Sequence, residues 1–573
     1  MRLSISKSKN ATSLYVKKDV VVNGKRTTKI VEKLGTVAEL EKKLGGEDPV
    51  EWAKKYIAQM NLLEKEGKET DVIAKYSPSR LLKKDVQFSF NGGYLFLQKI
   101  YHDLGIHNIC SEIKKKHKFN FNLDSILSRL IYGRILFPGS KLSTYELSSE
   151  LIEPPDFQLQ HIYRALEIIS KESDFIQSSL YQNSLKVSKR NTGILYYDCT
   201  NYFFEIEQSE GLKQYGFGKD HKPNPIVQMG MFMDGNGIPL AFSISKGNTN
   251  EQLTLKPLEK KILSDFNVSR FVVCTDAGLA SNANRKFNDK NDRAFITTQS
   301  IKKLKNYLKD WALDPKGWHL SGDDGVYDIM ELDEKNDIEK IFYKERWIKE
   351  DGLEQRLVVT YSIKYRNYHR KIRSSQIERA MKLINTNPKA KLKKANQNDY
   401  KRFIEKKHYT SDGKQAKKEI YSIDTDLISK EETYDGFYGV CTNLEDDVDI
   451  IVKVNRKRWE IEESFRIMKS EFKARPVHLS RDDRIEAHFM TCFMALLIYR
   501  ILEKKLEEKF TCSTIINSLR KMNFKLEEGE GYIPIYTRTD FTDALHEVFG
   551  FRTDYEIVTL KQMKKIFKLT KNR

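Results

Sequence analysis

Asn455-Arg-Lys-Arg-Trp-Glu-Ile-Glu-Glu-Ser-Phe-Arg-Ile-Met-Lys469 is the stretch on which the reading of this chain turns. Wound as a helix at about 100° per residue, it separates into two stripes. With Asn455 at 0°, Arg458 lies at roughly 300°, Glu462 at roughly 340° and Lys469 at roughly 320°. Ile461, Phe465, Met468 and Phe472 form a second stripe about 75° away, the pattern of a core-facing side. On this wheel Glu460 and Glu463 are expected to face solvent, which sets Glu462 at the margin of the core between two cations. An i,i+4 pair with Arg458, worth about a few tenths of a kcal/mol, accounts for it by itself. Trp459 is expected to pack at the helix edge, with stacking on a displaced base as the alternative.

Two other acids change the weight of that observation. Ile194-Leu-Tyr-Tyr-Asp-Cys-Thr200 is an apolar run broken only by Asp198, and its aromatic and β-branched content predicts a strand. Phe271-Val-Val-Cys-Thr-Asp-Ala-Gly278 predicts a buried strand that ends on Asp276. Singly, a strand-terminal Asp is explained as a helix cap. Together, an Asp inside one strand, an Asp at the end of another and a Glu on a later helix describe a carboxylate triad. Hard divalent cations such as Mg²⁺ take such oxygen ligands and keep waters for substrate phosphates.

The order Asp198, Asp276, Glu462 resembles the DDE triad of bacterial insertion-sequence transposases. In one branch of that family the signature helix reads Tyr, two residues, Arg, three residues, Glu, six residues, Lys. Arg458, Glu462 and Lys469 match this spacing, and Asn455 stands where the signature has Tyr. Gly216-Phe-Gly-Lys-Asp-His-Lys-Pro223 and Gln228-Met-Gly-Met-Phe-Met-Asp-Gly-Asn-Gly-Ile-Pro239 look like the second and third strands of such a core. Gly247-Asn-Thr-Asn-Glu251 with Thr254 matches the family pattern at the next helix, and the hairpin-like segment Tyr15–Gly35 resembles the opening of one subgroup. Lys219-Asp220 and Gly247-Asn248 read equally well as plain turn chemistry.

The resemblance implies a ribonuclease H-like α/β catalytic core interrupted by a β-rich insertion; a mostly helical N-terminal region and a helical C-terminal region are expected around it. It implies that Asp198, Asp276 and Glu462 are catalytic and hold two Mg²⁺ or Mn²⁺ ions, and that Arg458, Lys469, Asn455 and Lys219 contact DNA. The reaction expected is cleavage at transposon ends and joining to target DNA by in-line phosphodiester transfer, one ion serving the nucleophile and the other the leaving oxygen. The partners implied are double-stranded DNA (terminal inverted repeats and target) and a second copy of the chain. A metal-dependent nuclease that never joins, and a decayed protein that only occupies transposon ends, are the two alternatives.

Composition is compatible with this reading. The 573 residues hold 99 Lys and Arg against 80 Asp and Glu, a formal net charge of +19. A surplus of that sign favours a polyanionic partner through counterion release. An apolar fraction of 39% with 11% aromatic residues supports packed cores and excludes wholesale disorder. The six cysteines are scattered without a Cys-x-x-Cys pair, which argues against a zinc site or a disulfide framework. The N-terminus lacks the apolar segment of a signal peptide, and the longest apolar run, Phe489–Tyr499, is too short for a bilayer. A cytoplasmic protein, nucleoid-associated when on DNA, is expected.

Six regions are expected along the chain. Residues 1–85 hold a hairpin turning at Asn23-Gly24 and a charged helix. Residues 86–190 are helical and a possible DNA-binding region, with Leu142–Leu151 and Gln158–Ile169 as a candidate helix-turn-helix or an ordinary bundle. Residues 191–300 form the first part of the core, with strands at 194–198, 202–206, 226–234, 238–245, 270–276 and 294–298. The separation of 186 positions from Asp276 to Glu462 leaves room for an insertion at 301–435, within which Lys389–Lys418 is a basic run with interleaved aromatics. Residues 436–506 return to the core through a strand at 437–441 and the signature helix, and 507–573 end in a basic tail.

Overall fold

The computed structural model describes the chain except residues 9–10, 23–24, 66–71, 73–77, 80, 221, 387–397, 410–417 and 573. The Asn23-Gly24 turn, His221 and most of the Lys389–Lys418 run lie outside the described residues. Contacts group the chain into two compact units. One is Met1–Lys99 with Ser149–Pro154 and Ser513–Arg573; the other is Ile100–Ser148 with Pro155–Cys512.

The first unit opens with an antiparallel sheet of β1 (Arg2–Lys7), β2 (Thr12–Val22) and β3 (Lys25–Thr36), followed by α1 (Val37–Leu44) and α2 (Pro49–Lys65). Alternation along Ser13-Leu-Tyr-Val-Lys17 sends Leu14 and Val16 to one face, where both are fully buried. Leu14 packs with Leu40 of α1 and Ala53 of α2. Thr36 starts α1 with a reciprocal cap: its side chain accepts from the Glu39 N–H while the Glu39 carboxylate accepts from the Thr36 N–H. A short strand, β4 (Ser89–Asn91), comes later in this unit.

Helices follow: α3 (Tyr94–Asp103), α4 (Ile106–Lys116), α5 (Leu123–Leu136), α6 (Lys141–Ser148), α7 (Leu159–Lys171) and α8 (Ser173–Val187). The expected helix-turn-helix corresponds to α6 and α7. Ile162, Ala165, Leu166 and Ile169 of α7 are buried, and Glu167 pairs with Arg481 and Arg484 at 3.0 and 2.9 Å. The second helix of the pair is therefore engaged with its own protein.

The second unit is built on a mixed sheet. Its first five strands are β5 (Ile194–Phe203), β6 (Ile226–Asp234), β7 (Pro239–Lys246), β8 (Phe271–Thr275) and β9 (Arg293–Gln299), with α9 (Leu255–Asp265) and α10 (Asn282–Phe287) between the later ones. β5–β6 and β6–β7 are antiparallel, whereas β5–β8 and β8–β9 are parallel. The two short strands expected at 194–198 and 202–206 are one strand, because Asp198 to Phe203 keep unbroken register with Met231 to Ile226. β6 is buried along its entire length, which is why it carries no polar alternation.

Residues 301–435 supply α11 (Asn306–Leu313), β10 (Trp318–Leu320), β11 (Asp323–Tyr327), β12 (Phe342–Glu350), β13 (Leu353–Tyr361), α12 (Ile363–Thr386), β14 (Ile404–Tyr409), β15 (Lys418–Ile423) and α13 (Thr425–Glu432). Next comes β16 (Phe437–Thr442), which lies between β13 and β9 and pairs antiparallel with both. The result is ten strands in the order β11-β10-β12-β13-β16-β9-β8-β5-β6-β7. β10–β13 thus extend the core sheet itself, while β14 and β15 make a separate hairpin that packs with α12 and α13.

The signature stretch forms two helices, α14 (Val448–Arg456) and α15 (Trp459–Ser470), instead of one. At the join the N–H groups of Arg458, Glu460 and Ile461 reach back three residues, to the carbonyls of Asn455, Lys457 and Arg458. These tight 3₁₀-type steps advance the chain by more than 100° per residue and break the single wheel on which Asn455 shared a stripe with Glu462. The core stripe of α15 holds: Ile461, Phe465, Met468 and Phe472 are buried.

α16 (Asp482–Lys505) contains the apolar run Phe489–Tyr499. By length and composition it is apolar enough to cross a membrane, and 94% of its most apolar window is buried inside the protein, as befits a core helix. The chain ends with α17 (Cys512–Lys521), β17 (Asn523–Glu527), β18 (Gly531–Pro534), α18 (Asp540–Phe549), β19 (Val558–Thr559) and α19 (Leu560–Thr570); β19-β18-β17-β4 form a four-stranded sheet in the first unit.

Candidate active site

Sheet register brings the first two acids together. The parallel ladder pairs Tyr196 with Cys274, and Asp198 and Asp276 each lie two residues further along their chains. They therefore project from neighbouring strands at the same level of the sheet. Asp198 is only 8% exposed, and its Oδ1 accepts the Cys199 N–H at 2.8 Å. Asp276 follows the last residue of β8; its Oδ1 accepts the Leu279 N–H at 3.0 Å, which closes the turn into the following segment.

Glu462 approaches from α15. It lines one cavity of ≈ 450 Å³ together with Asp198, Asp276, Lys219, Arg458, Lys469 and Arg475. Its side chain is 53% exposed, and Arg458 Nη1 holds Oε1 at 2.9 Å. Lys219 Nζ donates to the Cys199 carbonyl and stands 3.7 Å from Glu251, while its backbone N–H donates to Asn201 Oδ1 at 3.1 Å. Lys219 is thereby tied to β5 directly beside Asp198.

Charge is concentrated in this cavity to a degree that shifts proton affinities. Burial pushes the Asp198 carboxyl up to about 6; Lys219 pulls it down, Asp276 adds to the rise, and the Cys199 N–H and Arg458 oppose it. Burial, with the Lys219 charge added, pushes the Lys469 ammonium down to about 8, against the pull of Asp198. Burial works against the Arg458 charge, yet Glu462, Asp198, Tyr438 and Asp276 outweigh it and hold the guanidinium above its usual range.

The donor set suits a hard divalent cation: three carboxylates open on one cavity, and two of them repel each other. Among the described residues, no three His, Cys, Asp or Glu side chains are gathered closely enough to hold an ion as they stand. Glu462 is engaged by Arg458.

Asn455 is not in this cavity. It is 3% exposed, donates from Nδ2 to Tyr438 Oη at 2.9 Å and receives a weak contact from the Cys274 thiol at 3.7 Å. It joins α14 to β16 and β8, as does Tyr196 Oη, which donates to the Val454 carbonyl at 2.9 Å. Cys199 and Cys274 are buried core residues. Trp459, expected to pack at the helix edge, is exposed: on the helix wheel it lies about 200° from Ile461 and so points away from the core stripe. With Tyr365, Tyr368 and Tyr438 it lines a second cavity of ≈ 610 Å³ that shares Arg458 and Glu462 with the first.

Arg475 has no counterpart in the sequence reading. It follows α15 in a loop, sits over the Phe203 ring at 5.7 Å and forms an ion pair with Asp220. No periodicity marks it; the only signal was a cation six residues beyond Lys469.

Comparison with known proteins fits this geometry. The family described as Transposase DDE domain matches residues 203–498, just over half of the chain. The chain belongs to the DDE transposase family. The matched region contains Lys219, Asp276, Arg458, Glu462 and Lys469 and opens five residues after Asp198. Among solved structures, this DDE transposase is similar to the cryo-EM structure of a piggyBac transposase synaptic complex with hairpin DNA. The identity is 8%, the coverage 83% of this chain and 84% of that one, and the TM-score 0.34. No curated protein matches.

Proposed function

We propose that this DDE transposase is encoded by a bacterial insertion sequence, and that in the cytoplasm, as a homodimer on DNA, it cleaves at the ends of its element and joins them to a target. The observation that carries this is the gathering of Asp198, Asp276 and Glu462 with five cations (Lys219, Arg458, Arg466, Lys469 and Arg475) around one cavity. The antiparallel β5–β6–β7 and parallel β5–β8–β9 order supports a ribonuclease H-like reading of the core.

Asp198, Asp276 and Glu462 would hold two Mg²⁺ or Mn²⁺ ions. Bound there, the ions supply Lewis-acid activation of an attacking oxygen and charge neutralisation at the leaving oxygen. The chain's own contribution is to place the scissile phosphate. Lys219 is fixed to β5 and Lys469 stands on α15, and both line the cavity, so a backbone phosphate there meets an ammonium from each. Arg458 offers a planar fork to the same phosphate or to Glu462, and the two acceptors compete for it. Attack by water gives cleavage and attack by a 3′-hydroxyl gives joining, with the same residues in place.

The test is a labelled duplex spanning the boundary of the element, incubated with Mg²⁺ and either wild type or Glu462→Gln. Metal-dependent nicking at the boundary that is lost in the variant is expected. Binding without cleavage by either protein would overturn the catalytic assignment in favour of an end-occupying protein. Cleavage without strand-transfer products on a plasmid target would leave a nuclease.

A further inference from the structure

The N-terminal sheet is basic far beyond the average of the chain. Its first 36 residues hold nine Lys and Arg against two acids, Asp19 and Glu32. One face is covered, because Leu14 and Val16 are fully buried and Leu3 and Leu34 join Leu14 against the two helices. The register shows what occupies the other face. Arg2 lies opposite Lys17, Lys17 opposite Ile30, Ser4 opposite Tyr15, Tyr15 opposite Lys33, and Asp19 opposite Thr28. Residues directly opposite each other share a face.

That second face is open to solvent: the Arg2 side chain is 64% exposed, Ile30 is 52% exposed, and Thr28 and Lys33 are exposed. Its one acid is already matched, since Asp19 Oδ1 is 3.2 Å from Arg2 Nη2 and accepts the Thr28 hydroxyl at 3.1 Å. Lys17 and Lys33 give the face its net positive charge, with the Glu39 carboxylate of α1 within electrostatic reach of Lys33. They flank Tyr15 and Ser4, short or flat side chains that carry hydroxyl donors and acceptors.

We propose that the open face of β1–β3 binds double-stranded DNA, with Lys17 and Lys33 on phosphates and Tyr15 and Ser4 directed into the major groove. The dimensions agree. Three strands place the outer two about 10 Å apart, and the major groove is about 12 Å wide and admits β-structure. The charge is complementary to a phosphate backbone and unsuited to an apolar partner. This rests on the transposase reading, which requires the protein to recognise its own ends; the face supplies groups that touch DNA outside the cleavage cavity.

The test uses the full chain and three labelled probes: the duplex flanking the coding sequence on either side, a shuffled duplex of the same length, and the corresponding single strand. Lys17→Ala/Lys33→Ala is compared with Lys42→Ala/Lys43→Ala, an equal loss of charge on exposed positions of α1. The expected result is at least a tenfold loss of affinity for the flanking duplex in the first variant and less than twofold in the second. The slope of log affinity against log salt should become shallower by about two in the first variant. Tyr15→Ala should narrow the preference for flanking over shuffled duplex. A thermal unfolding midpoint within about 2 °C of wild type shows that the variants are folded. Equal losses in both double variants, or tighter binding of the single strand than of the duplex, overturns the proposal. Wild type that binds the flanks through Lys17 and Lys33 but never cleaves would instead remove the catalytic reading and leave the DNA surface standing.

Discussion

Two of the three acids are placed by the backbone and the third by a side chain. Asp198 sits inside a strand that is hydrogen-bonded on both sides, to β6 and to β8, and Asp276 closes the turn at the end of β8. Their separation is a property of sheet register, which cannot drift without undoing a buried ladder. Glu462 stands on a helix that begins at a tight turn, half in solvent, with Arg458 as its partner. Glu462 is the exposed half of that pair, at 53% against 18% for Arg458, so its carboxylate can turn toward solvent while the guanidinium stays packed. Glu462 is therefore the adjustable member of the proposed triad, and its partner Arg458 is itself a candidate for the incoming phosphate. The difference between the regions is one of stiffness: strands fix the acids that face each other, and a helix brings up the one that adapts.

The sharpest way to break this comparison is to change side-chain length by one methylene. Asp198→Glu should lower cleavage by about 10³-fold or more, as much as Asp198→Asn, because a longer side chain in a packed strand has no room to bring its carboxylate back. Glu462→Asp should keep on the order of a tenth of wild-type activity, since the exposed helix side can adjust. DNA affinity should stay within about twofold in all three, read by mobility shift before cleavage is measured. Equal loss in Asp198→Glu and Glu462→Asp would show that both sides of the cavity are equally rigid.

A second, smaller effect concerns the cations. Arg475 is paired with Asp220 in the DNA-free protein, each about a quarter exposed. A phosphate entering the cavity competes with Asp220 for that guanidinium. Arg475→Ala should weaken duplex binding by about three- to tenfold, and Asp220→Asn should strengthen it by about two- to fivefold at low salt, both within the usual range for a partly exposed pair. If Asp220→Asn also weakens binding, the pair is holding the loop in place and Arg475 is not a phosphate ligand.

How far the sequence carried this picture depends on the range of the interactions involved. β6, expected at 226–234, spans those residues, and the buried stripe of α15 falls where the wheel put it, because both follow from local alternation or periodicity. Three things had no local trace. The break at Lys457-Arg458 comes from backbone bonds to the third residue back, which the composition of a good helix former conceals. The continuation of the core sheet through β13 and β16 pairs Leu357 with Cys441, and only the fold brings them together. Asn455 was grouped with the site by its signature position and a helical angle that the break alters; in the structure its amide donates to Tyr438 and it lines the second cavity with Arg458 and Glu462.

The far end of α15 offers the gentlest test, one in which activity should not move. Arg134 donates to the carbonyls of Phe472 and Lys473, and His488 is 3.2 Å from the Ala474 carbonyl, so the loop leading to Arg475 is anchored from below by buried cationic and imidazole groups. Lys141 lies in the same cluster, and its ammonium makes no hydrogen bond among the described residues. Burial pushes it down to about 7, the Arg134 charge adds to this, and Cys492 opposes it. Against an ordinary value of 10.5, the unfolded chain binds a proton that the folded chain lacks between about pH 7 and 10.5. Stability contributed by this site therefore rises with pH across that window and is lowest below about 7, where the lysine must be buried charged. Lys141→Met keeps the volume and removes the charge. It should raise stability by roughly 1–3 kcal/mol at pH 6.5 and by much less at pH 10, with cleavage at either pH unchanged. A gain that is equal at both pH values would mean that packing alone is responsible. A loss of cleavage would mean that this end of α15 is as finely placed as the strands, and that the adjustable acid is adjustable only at its own side chain.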